Sequence, residues 1–253
     1  MLLWPPGRSS GPRVWRASHR EIDRERSDSL TRSISVPLQS GVRRKRYHQA
    51  MQEPCDLTPK PTVIDLLRHG EVEGGVRFRG STDDPLSRQG WQQMERVVGS
   101  TVWHGIISSP LRRCADFAQA FAEQRGVPLH LEGRLREVHF GLWEGRTAAA
   151  LMQAEPEALA RFWQAPYAYP PPGAESLPRF ERRVLDAWND IIRGRAGRRV
   201  LVITHGGVIR VILRRVRGLS PDHLLGIDVP HASLHRVLVS DSLAQEVRLV
   251  ERG

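Results

Sequence analysis

Apolar residues along most of the chain alternate between short runs and longer stretches with helical spacing. Three short runs have the length and β-branched content of buried strands: Val63–Leu67, Gly105–Ile107 and Arg199–Thr204. Stretches with apolar residues three or four positions apart predict helices, which cover Leu111–Gln124, Pro178–Arg193 and Val208–Val216. This alternation from Thr62 onward predicts one α/β domain, a three-layer α/β/α sandwich with a mostly parallel sheet.

The segment from about residue 145 to 176 differs in composition from the rest of this domain. Residues 147–152 and 155–163 predict two short helices, and Pro170-Pro171-Pro172-Gly173 predicts a stiff loop. We predict that this segment forms a lid over a ligand site. Its aromatic residues either shield a ring-bearing ligand or simply pack against the protein, and they are Trp163, Tyr167 and Tyr169.

The net charge of +10 is concentrated in one part of the chain. Residues 1–50 contain 11 Lys or Arg against 4 Asp or Glu, so they carry +7 and leave only +3 for the remainder. They are rich in Arg and Ser and lack apolar periodicity, which predicts a disordered basic tail over residues 1–60 and a folded domain over residues 61–253. The tail is a nucleic-acid or membrane-surface arm, a transit peptide, or an over-long translation start. We favour the last, with Met51 as the alternative start.

Composition also bears on compartment. No apolar run reaches the ~18 residues that span a bilayer, and the first residues lack a secretory signal pattern. The chain contains 2 cysteines, Cys55 and Cys114, too few for a disulfide framework. These features predict a cytoplasmic protein with no membrane partner.

Candidate chemistry lies at the ends of two predicted strands. Val63–Leu67 runs into Arg68-His69-Gly70, and Arg199–Thr204 runs into His205-Gly206-Gly207. Ligands of α/β sheets bind beyond the carboxyl ends of strands, so both histidines are placed for chemistry. A guanidinium binds phosphate bidentately, neutral histidine is a nucleophile, and the helix that follows Gly206 offers amides to an anion. The pattern favours a site for a phosphate group.

Two further segments supply groups that phosphoryl transfer requires. The remaining predicted strand, Gly105–Ile107, leads through Ser109-Pro110-Leu111 into Arg112-Arg113, and guanidinium groups offset the charge of a phosphoryl group in flight. We choose Arg113 over Arg112. The segment Leu135–Gly145 offers carboxylates that could protonate a leaving alkoxide, with Glu137 as the candidate.

In this order, the motifs resemble those of the histidine phosphatase superfamily, which includes the phosphoglycerate mutases. The resemblance runs from about Thr62 to Arg252. It rests on Arg68-His69-Gly70-Glu71, Ser109-Pro110-Leu111-Arg112-Arg113, Glu137 with Phe140-Gly141-Leu142-Trp143-Glu144-Gly145, and His205-Gly206-Gly207. It implies a phosphoglycerate mutase-like fold and a metal-independent phosphomonoesterase that needs no cofactor.

The resemblance also implies a role for each catalytic residue. His69 attacks phosphorus and becomes a phosphohistidine, and Arg68, Arg113 and His205 surround the phosphoryl oxygens. Glu137 protonates the leaving oxygen and then activates water. The implied substrate-binding residues are Arg68, Arg113, His205 and Gly206.

Within the family, two segments look most like the branch that contains the α-ribazole phosphatases. They are residues 71–87 and residues 171–176. Many relatives carry an asparagine after the first motif where this chain has Glu73-Gly74-Gly75, so Arg77 or Arg79 either contacts phosphate or is a solvated loop residue. The expected substrate is a small phosphate ester such as α-ribazole 5'-phosphate of cobalamin synthesis. The alternatives are a broad-specificity sugar or nucleotide phosphatase, a phosphoglycerate-type mutase, and a non-enzymatic nucleic-acid binder, and the oligomeric state is left open.

Overall fold

The structure, a computed structural model, describes residues 61–240 and 243–247. The predicted basic tail and the Met51 start lie outside these residues. The strands are β1 (Thr62–Arg68), β2 (Gly105–Ser108), β3 (Leu129–Leu131), β4 (Arg199–Thr204), β5 (Leu234–Ser240) and β6 (Leu243–Val247). The helices are α1 (Arg88–Val98), α2 (Arg112–Arg125), α3 (Ala148–Ala154), α4 (Pro156–Gln164), α5 (Leu177–Gly194) and α6 (Gly206–Val216).

The six strands form one sheet in the order β3-β2-β4-β1-β5-β6. The first four strands in this order are mutually parallel, whereas β5 pairs antiparallel with β1 and with β6. The expectation of a mostly parallel sheet is therefore confirmed. The antiparallel extension was not predicted from the sequence, because β5 has a mixed burial pattern without a clean apolar run.

Alternate side chains of the strands enter two separate cores, as a strand period of two requires. On one face of the sheet, Leu66, Val200 and Val202 pack with apolar residues of α3, α4, α5 and α6. On the other face, Leu67 and Leu201 pack with apolar residues of α1 and α2. The helices thus cover both faces, and the three-layer sandwich is confirmed.

The predicted helices match the structure to within one or two residues at nearly every end. Helix α5 begins with Leu177 and Pro178 in its first turn, where proline needs no amide hydrogen, and it buries Phe180, Val184 and Trp188. Helix α1 was not predicted. It is mostly polar and buries only Gly90, Met94 and Val98, so its apolar face is too narrow to show clearly in the sequence.

The predicted lid segment does contain two short helices, α3 and α4. They bury Leu151, Leu159 and Phe162 in the same core cluster as the central strands. The segment is therefore packed onto the domain. Within the described residues, no helix is both long enough and apolar enough to cross a membrane.

Parallel pairing of β1 with β4 brings two distant motifs together. Arg68 pairs in register with Thr204, and the backbone amide of His69 donates to the carbonyl oxygen of Thr204 at 2.9 Å. Consequently His69 and His205, which are 136 positions apart in the sequence, leave the same edge of the sheet on adjacent strands.

Candidate active site

His69 lies just beyond β1 and is 7% exposed. Its Nδ1 is 2.8 Å from the carbonyl oxygen of Gly70. A carbonyl oxygen only accepts hydrogen bonds, so Nδ1 carries the proton and Nε2 keeps a lone pair. Burial, followed by the charges of Arg68 and Arg113, lowers the pKa of His69 well below its ordinary value. The ring is therefore an uncharged base at neutral pH with Nε2 ready to act as a nucleophile.

Arg68 is the last residue of β1 and directly precedes His69. Its Nη1 donates to the carbonyl oxygen of Val229 at 2.6 Å, whereas its buried Nε has no hydrogen-bond partner among the described residues. Burial and the neighbouring Arg210 lower the pKa of Arg68 to about 10, so the group stays charged at neutral pH. A buried donor without an acceptor is costly, and an anionic ligand would remove that cost.

Arg113 occupies the first turn of α2 and is 1% exposed. Its Nη1 and Nη2 donate to the carbonyl oxygens of Thr82 and Gly80 at 2.7 and 2.9 Å. Among the described residues, no carboxylate lies within ion-pair distance of Arg113 or of Arg68. Two partly or fully buried guanidinium groups therefore share one site without a carboxylate partner.

The imidazole of His205 is fully buried between Arg113 and Ser109. Arg113 Nε donates to its Nδ1 at 3.3 Å, and its Nε2 lies 2.7 Å from the Ser109 hydroxyl. Guanidinium nitrogens only donate, so Nδ1 is the acceptor and Nε2 carries the proton. Burial and Arg113 lower the pKa of His205 well below its ordinary value. Because both ring nitrogens contact protein groups, a direct bond from His205 to a phosphoryl oxygen stays a prediction.

The rings of His69 and His205 are neighbours in an edge-to-face arrangement. Their centroids are 5.3 Å apart with the planes at 62°. Cys114, which the sequence analysis treated as a small packing residue, is fully buried with its Sγ 3.7 Å from His205 Nε2. Burial raises the pKa of the Cys114 thiol, so it is a protonated packing group here.

Glu137 joins this group through the N-terminus of α6. Its Oε2 accepts from the amide of Gly207 at 2.9 Å and its Oε1 from the amide of Val138 at 3.0 Å. A Cβ at Gly207 would collide with Oε1, and one at Gly206 would lie 3.4 Å from Arg68 Nε. The paired glycines therefore let a carboxylate and a guanidinium approach the helix end closely.

Glu144 is a second carboxylate of the same motif, and its importance was not recognised in the sequence. It accepts from the amides of Phe140, Gly80, Ser81 and Thr82 and from the Thr82 hydroxyl, at 2.6 to 3.1 Å. Burial alone raises the pKa of Glu144, but these hydrogen bonds outweigh burial and hold the pKa below its ordinary value. Glu144 thus fixes the loop whose carbonyl oxygens bind the guanidinium at the start of α2.

Arg79, expected as a possible phosphate ligand, forms its side-chain hydrogen bonds within its own loop. Its Nε pairs with Asp84 at 2.6 Å, its Nη2 donates to the carbonyl oxygen of Glu73 at 2.6 Å, and its Nη1 donates to that of Gly75. Arg77 similarly donates to backbone carbonyl oxygens. The substrate-binding role of Arg79 stays a prediction, and this geometry favours a structural role in the loop.

The aromatic residues of the lid segment are engaged in packing. Trp163 and Tyr167 contact the main core cluster, and the Tyr167 hydroxyl donates to Glu181. Tyr169 is 50% exposed, and the centroid of its ring is 5.8 Å from Cζ of Arg161. These contacts favour the packing interpretation over a ring that shields a ligand.

A third histidine, His231, was missed by the sequence analysis. It lies in the turn before β5, and its ring centroid is 5.6 Å from that of His69. Burial and the charge of Arg68 lower the pKa of His231 to about 3, so it is neutral at neutral pH. An isolated histidine in a loop carries no motif that could have identified it.

The arrangement combines a neutral imidazole, two guanidinium groups that have no described carboxylate within ion-pair distance, and the carboxylate of Glu137 nearby. These groups suit transfer of a phosphoryl group, whose developing negative charge guanidinium groups stabilise. Among the described residues, no group of three or more His, Cys, Asp or Glu is arranged to hold a metal ion. The sequence-predicted residues that the fold brings into this region are Arg68, His69, Arg113, Glu137, His205 and Gly206.

Comparison with known proteins identifies relatives of this chain. The family model of the histidine phosphatase superfamily (branch 1) matches residues 64–251. Among curated proteins, the chain is 33% identical over 198 residues to the bifunctional protein Rv2228c of Mycobacterium tuberculosis, covering 76% of this chain and 54% of that protein. The chain therefore spans about half the length of this relative.

Two other relatives carry the names of phosphatases. The chain is 33% identical over 170 residues to a glucosyl-3-phosphoglycerate phosphatase of Mycolicibacterium vanbaalenii, covering 62% of this chain and 75% of that one. The crystal structure of the α-ribazole phosphatase from Shigella flexneri matches with a TM-score of 0.66 at 22% identity, covering 74% of this chain and 95% of that one. At this identity, the structural match supports the fold alone.

Proposed function

The chain belongs to branch 1 of the histidine phosphatase superfamily, and from this we propose that it is a metal-independent phosphomonoesterase acting through a phosphohistidine at His69. The observation that carries the proposal is the state of His69. Its Nδ1 is tied to the Gly70 carbonyl oxygen, and its ring lies beside the positive charges of Arg68 and Arg113. A neutral imidazole with an unprotonated Nε2 in a positive site is suited to attack a phosphate dianion.

The first step transfers the phosphoryl group to the enzyme. Nε2 of His69 forms a bond to phosphorus while the bond from phosphorus to the ester oxygen breaks. Arg68 and Arg113 stabilise the negative charge on the non-bridging oxygens in the transition state, which a neutral site would not do. Glu137, when protonated, gives its proton to the departing ester oxygen, and the alcohol leaves.

The second step returns the enzyme to its starting state. The carboxylate of Glu137 takes a proton from a water molecule as the water oxygen attacks phosphorus. The bond from phosphorus to Nε2 breaks, and inorganic phosphate leaves. Each oxygen of Glu137 accepts only one amide hydrogen, so each keeps a lone pair for this proton.

The proposed substrate class is a small phosphate ester. The resemblance of residues 71–87 and 171–176 to the α-ribazole phosphatase branch makes α-ribazole 5'-phosphate the first candidate. The relative named glucosyl-3-phosphoglycerate phosphatase supports a second candidate, glucosyl-3-phosphoglycerate. Both substrates place one phosphate on a polar alcohol.

The test compares kcat/KM for α-ribazole 5'-phosphate, glucosyl-3-phosphoglycerate, phosphoserine, 3-phosphoglycerate, fructose 2,6-bisphosphate and nucleotides, after treatment of the enzyme with a chelator. We expect hydrolysis of monoesters with the ribazole ester first, and no isomerisation of phosphoglycerate. Mutase activity that depends on a bisphosphate primer would overturn the phosphatase assignment. A preference for another monoester would overturn only the choice of substrate.

A further inference from the structure

The His69 ring has a second imidazole neighbour, His231, which has no role in the proposed mechanism. The His231 ring lies 5.6 Å from that of His69 with the planes at 42°, nearly as close as the ring of His205. Arg68, Arg113 and Glu137 already account for the phosphoryl oxygens and the leaving oxygen. His231 is therefore an additional polar group next to the reacting atoms.

The turn that carries His231 is tied to the catalytic strand. Arg68 Nη1 donates to the carbonyl oxygen of Val229 at 2.6 Å, and the amide of Ala232 donates to the carbonyl oxygen of His69 at 3.2 Å. Ala232 has a φ of 55°, a left-handed conformation that costs a non-glycine residue about 1 kcal/mol or more. Contacts on both sides of His231 thus hold a strained turn in place and fix the ring beside the nucleophile.

His231 also differs from His205 in how its ring nitrogens are used. Both nitrogens of His205 contact Arg113 and Ser109, whereas neither nitrogen of His231 forms a hydrogen bond with any residue in the described ranges 61–240 and 243–247. A neutral imidazole offers one donor and one acceptor. His231 therefore has both available for a ligand.

On the basis of the phosphatase function proposed above, we propose that His231 recognises the alcohol part of the substrate. Its imidazole forms a hydrogen bond to an oxygen on the carbon next to the ester carbon, either a hydroxyl, a ring ether or a carboxylate. A hydrogen bond of about 2.9 Å from a ring this close to His69 reaches atoms just beyond the ester oxygen and not the far end of a large alcohol. His231 is thus a specificity residue that favours sugar-like and glycerate-like esters over simple alkyl esters.

The test compares sn-glycerol 3-phosphate, which carries that oxygen and one further hydroxyl, with n-propyl phosphate, which carries neither, and uses phenyl phosphate as a third ester. We expect the wild type to prefer the glycerol ester by roughly tenfold in kcat/KM, the value of about one hydrogen bond. H231F should reduce this preference to near unity. H231N, which keeps a shorter donor and acceptor, should retain part of it.

A matched control is H130F, since His130 is an exposed histidine of β3 remote from His69 in the sheet. It should keep the wild-type preference. Thermal unfolding and the yield of phosphohistidine from phenyl phosphate establish that each variant is folded with an assembled nucleophile. If H231F fails these checks, H231N decides the question alone.

Three results would overturn the proposal. The first is an unchanged ratio between glycerol and propyl esters in H231F, or in H231N where that variant decides. The second is a wild type that shows no preference between these two esters. The third is an equal loss on all three esters, which would mean that His231 positions His69 and does not read the alcohol. If the wild type hydrolyses no ester and forms no phosphohistidine, the proposed function itself fails, so the two failures are distinguishable.

Discussion

Arginine side chains gather at two positions of β1, around its central residue Asp65 and at its last residue Arg68, but their charges are paired differently. At Asp65, a fully buried carboxylate accepts from Arg199, Arg236 and the indole of Trp103 at 2.7 to 3.1 Å. Three residues further along the same strand, Arg68 lies in a site where no described carboxylate forms an ion pair with it. In the first cluster each arginine forms an ion pair with a carboxylate, whereas in the second no described carboxylate lies within ion-pair distance of the guanidinium groups and Glu137 acts on Arg68 only from further away.

This difference separates stability from function within one strand. An ion-paired and hydrogen-bonded cluster is costly to break once it has formed. Buried guanidinium groups without an ion-pair partner cost folding free energy and recover it when a phosphate binds. Substitutions in the Asp65 cluster should therefore lower the free energy of unfolding, and substitutions around Arg68 should lower the catalytic rate.

The largest effect on activity should follow from His69→Ala. Loss of the nucleophile should abolish the phosphohistidine and lower kcat by roughly 10⁴-fold or more, because the remaining groups only stabilise a transition state that no longer forms. Acid-labile labelling from a phosphorylated substrate measures the intermediate. His130→Ala, at an exposed position, is the control. Labelling that persists in His69→Ala would place the nucleophile elsewhere.

Glu137→Gln should reduce kcat by roughly 10²- to 10⁴-fold on alkyl phosphates, because a glutamine cannot donate a proton to a poor leaving group. An activated aryl phosphate needs little protonation and should lose much less in the phosphoryl-transfer step. Burst kinetics with both substrates separate this step from hydrolysis of the phosphohistidine. Equal losses in phosphoryl transfer would contradict the role of Glu137 as a proton donor.

Asp65→Asn tests the ion-paired cluster in the middle of β1. It leaves two arginines without their charge partner, and breaking such a buried cluster costs about 3 kcal/mol of unfolding free energy. The arginine side chains remain about a quarter exposed, at 29% and 24%, so solvent keeps the cost at the lower end of the usual range. Denaturant unfolding measures the loss. A large fall in kcat with unchanged stability would contradict the distinction between the Asp65 cluster and the site at Arg68.

Glu144→Gln should have a smaller effect on both properties, about 1–3 kcal/mol in stability, because the loop amides lose a charged acceptor. Since its pKa is lowered on folding, Glu144 stabilises the native state above its unfolded pKa, and this contribution is lost as the pH falls through the folded pKa. The variant should therefore lose less stability on acidification than the wild type. Identical acid unfolding profiles for the two proteins would contradict this account of Glu144.

Several elements could be predicted because their signals are local. The run Arg199–Thr204 matches β4 residue for residue, and the apolar spacing of α5 placed that helix within one residue at each end. The polar helix α1 and the strand β5 lacked such a signal, because contacts with the rest of the fold stabilise them more than their own pattern does.

The candidate site shows the same division. Arg68, His69, Arg113 and His205 were identified because each follows a predicted strand with a recognisable turn. His231 and Glu144 were not, since their importance depends on what they contact: the ring of His69 in one case, and five hydrogen-bond donors of distant loops in the other. Arg79 was assigned to the substrate from its position in a loop, whereas its contacts involve that loop alone.

The sequence by itself determined the alternation of strands and helices, the motifs at the strand ends and the family to which they belong, because these are properties of contiguous residues. Only the tertiary structure decided which charges form ion pairs, which histidine nitrogens stay available and which carboxylate holds the loop that binds Arg113. These features depend on distances between residues far apart in the chain, and electrostatic and hydrogen-bond energies are set by such distances and by burial. Arginine side chains therefore form an ion-paired cluster around Asp65 in the middle of β1 and help define the candidate site at Arg68, where the strand ends.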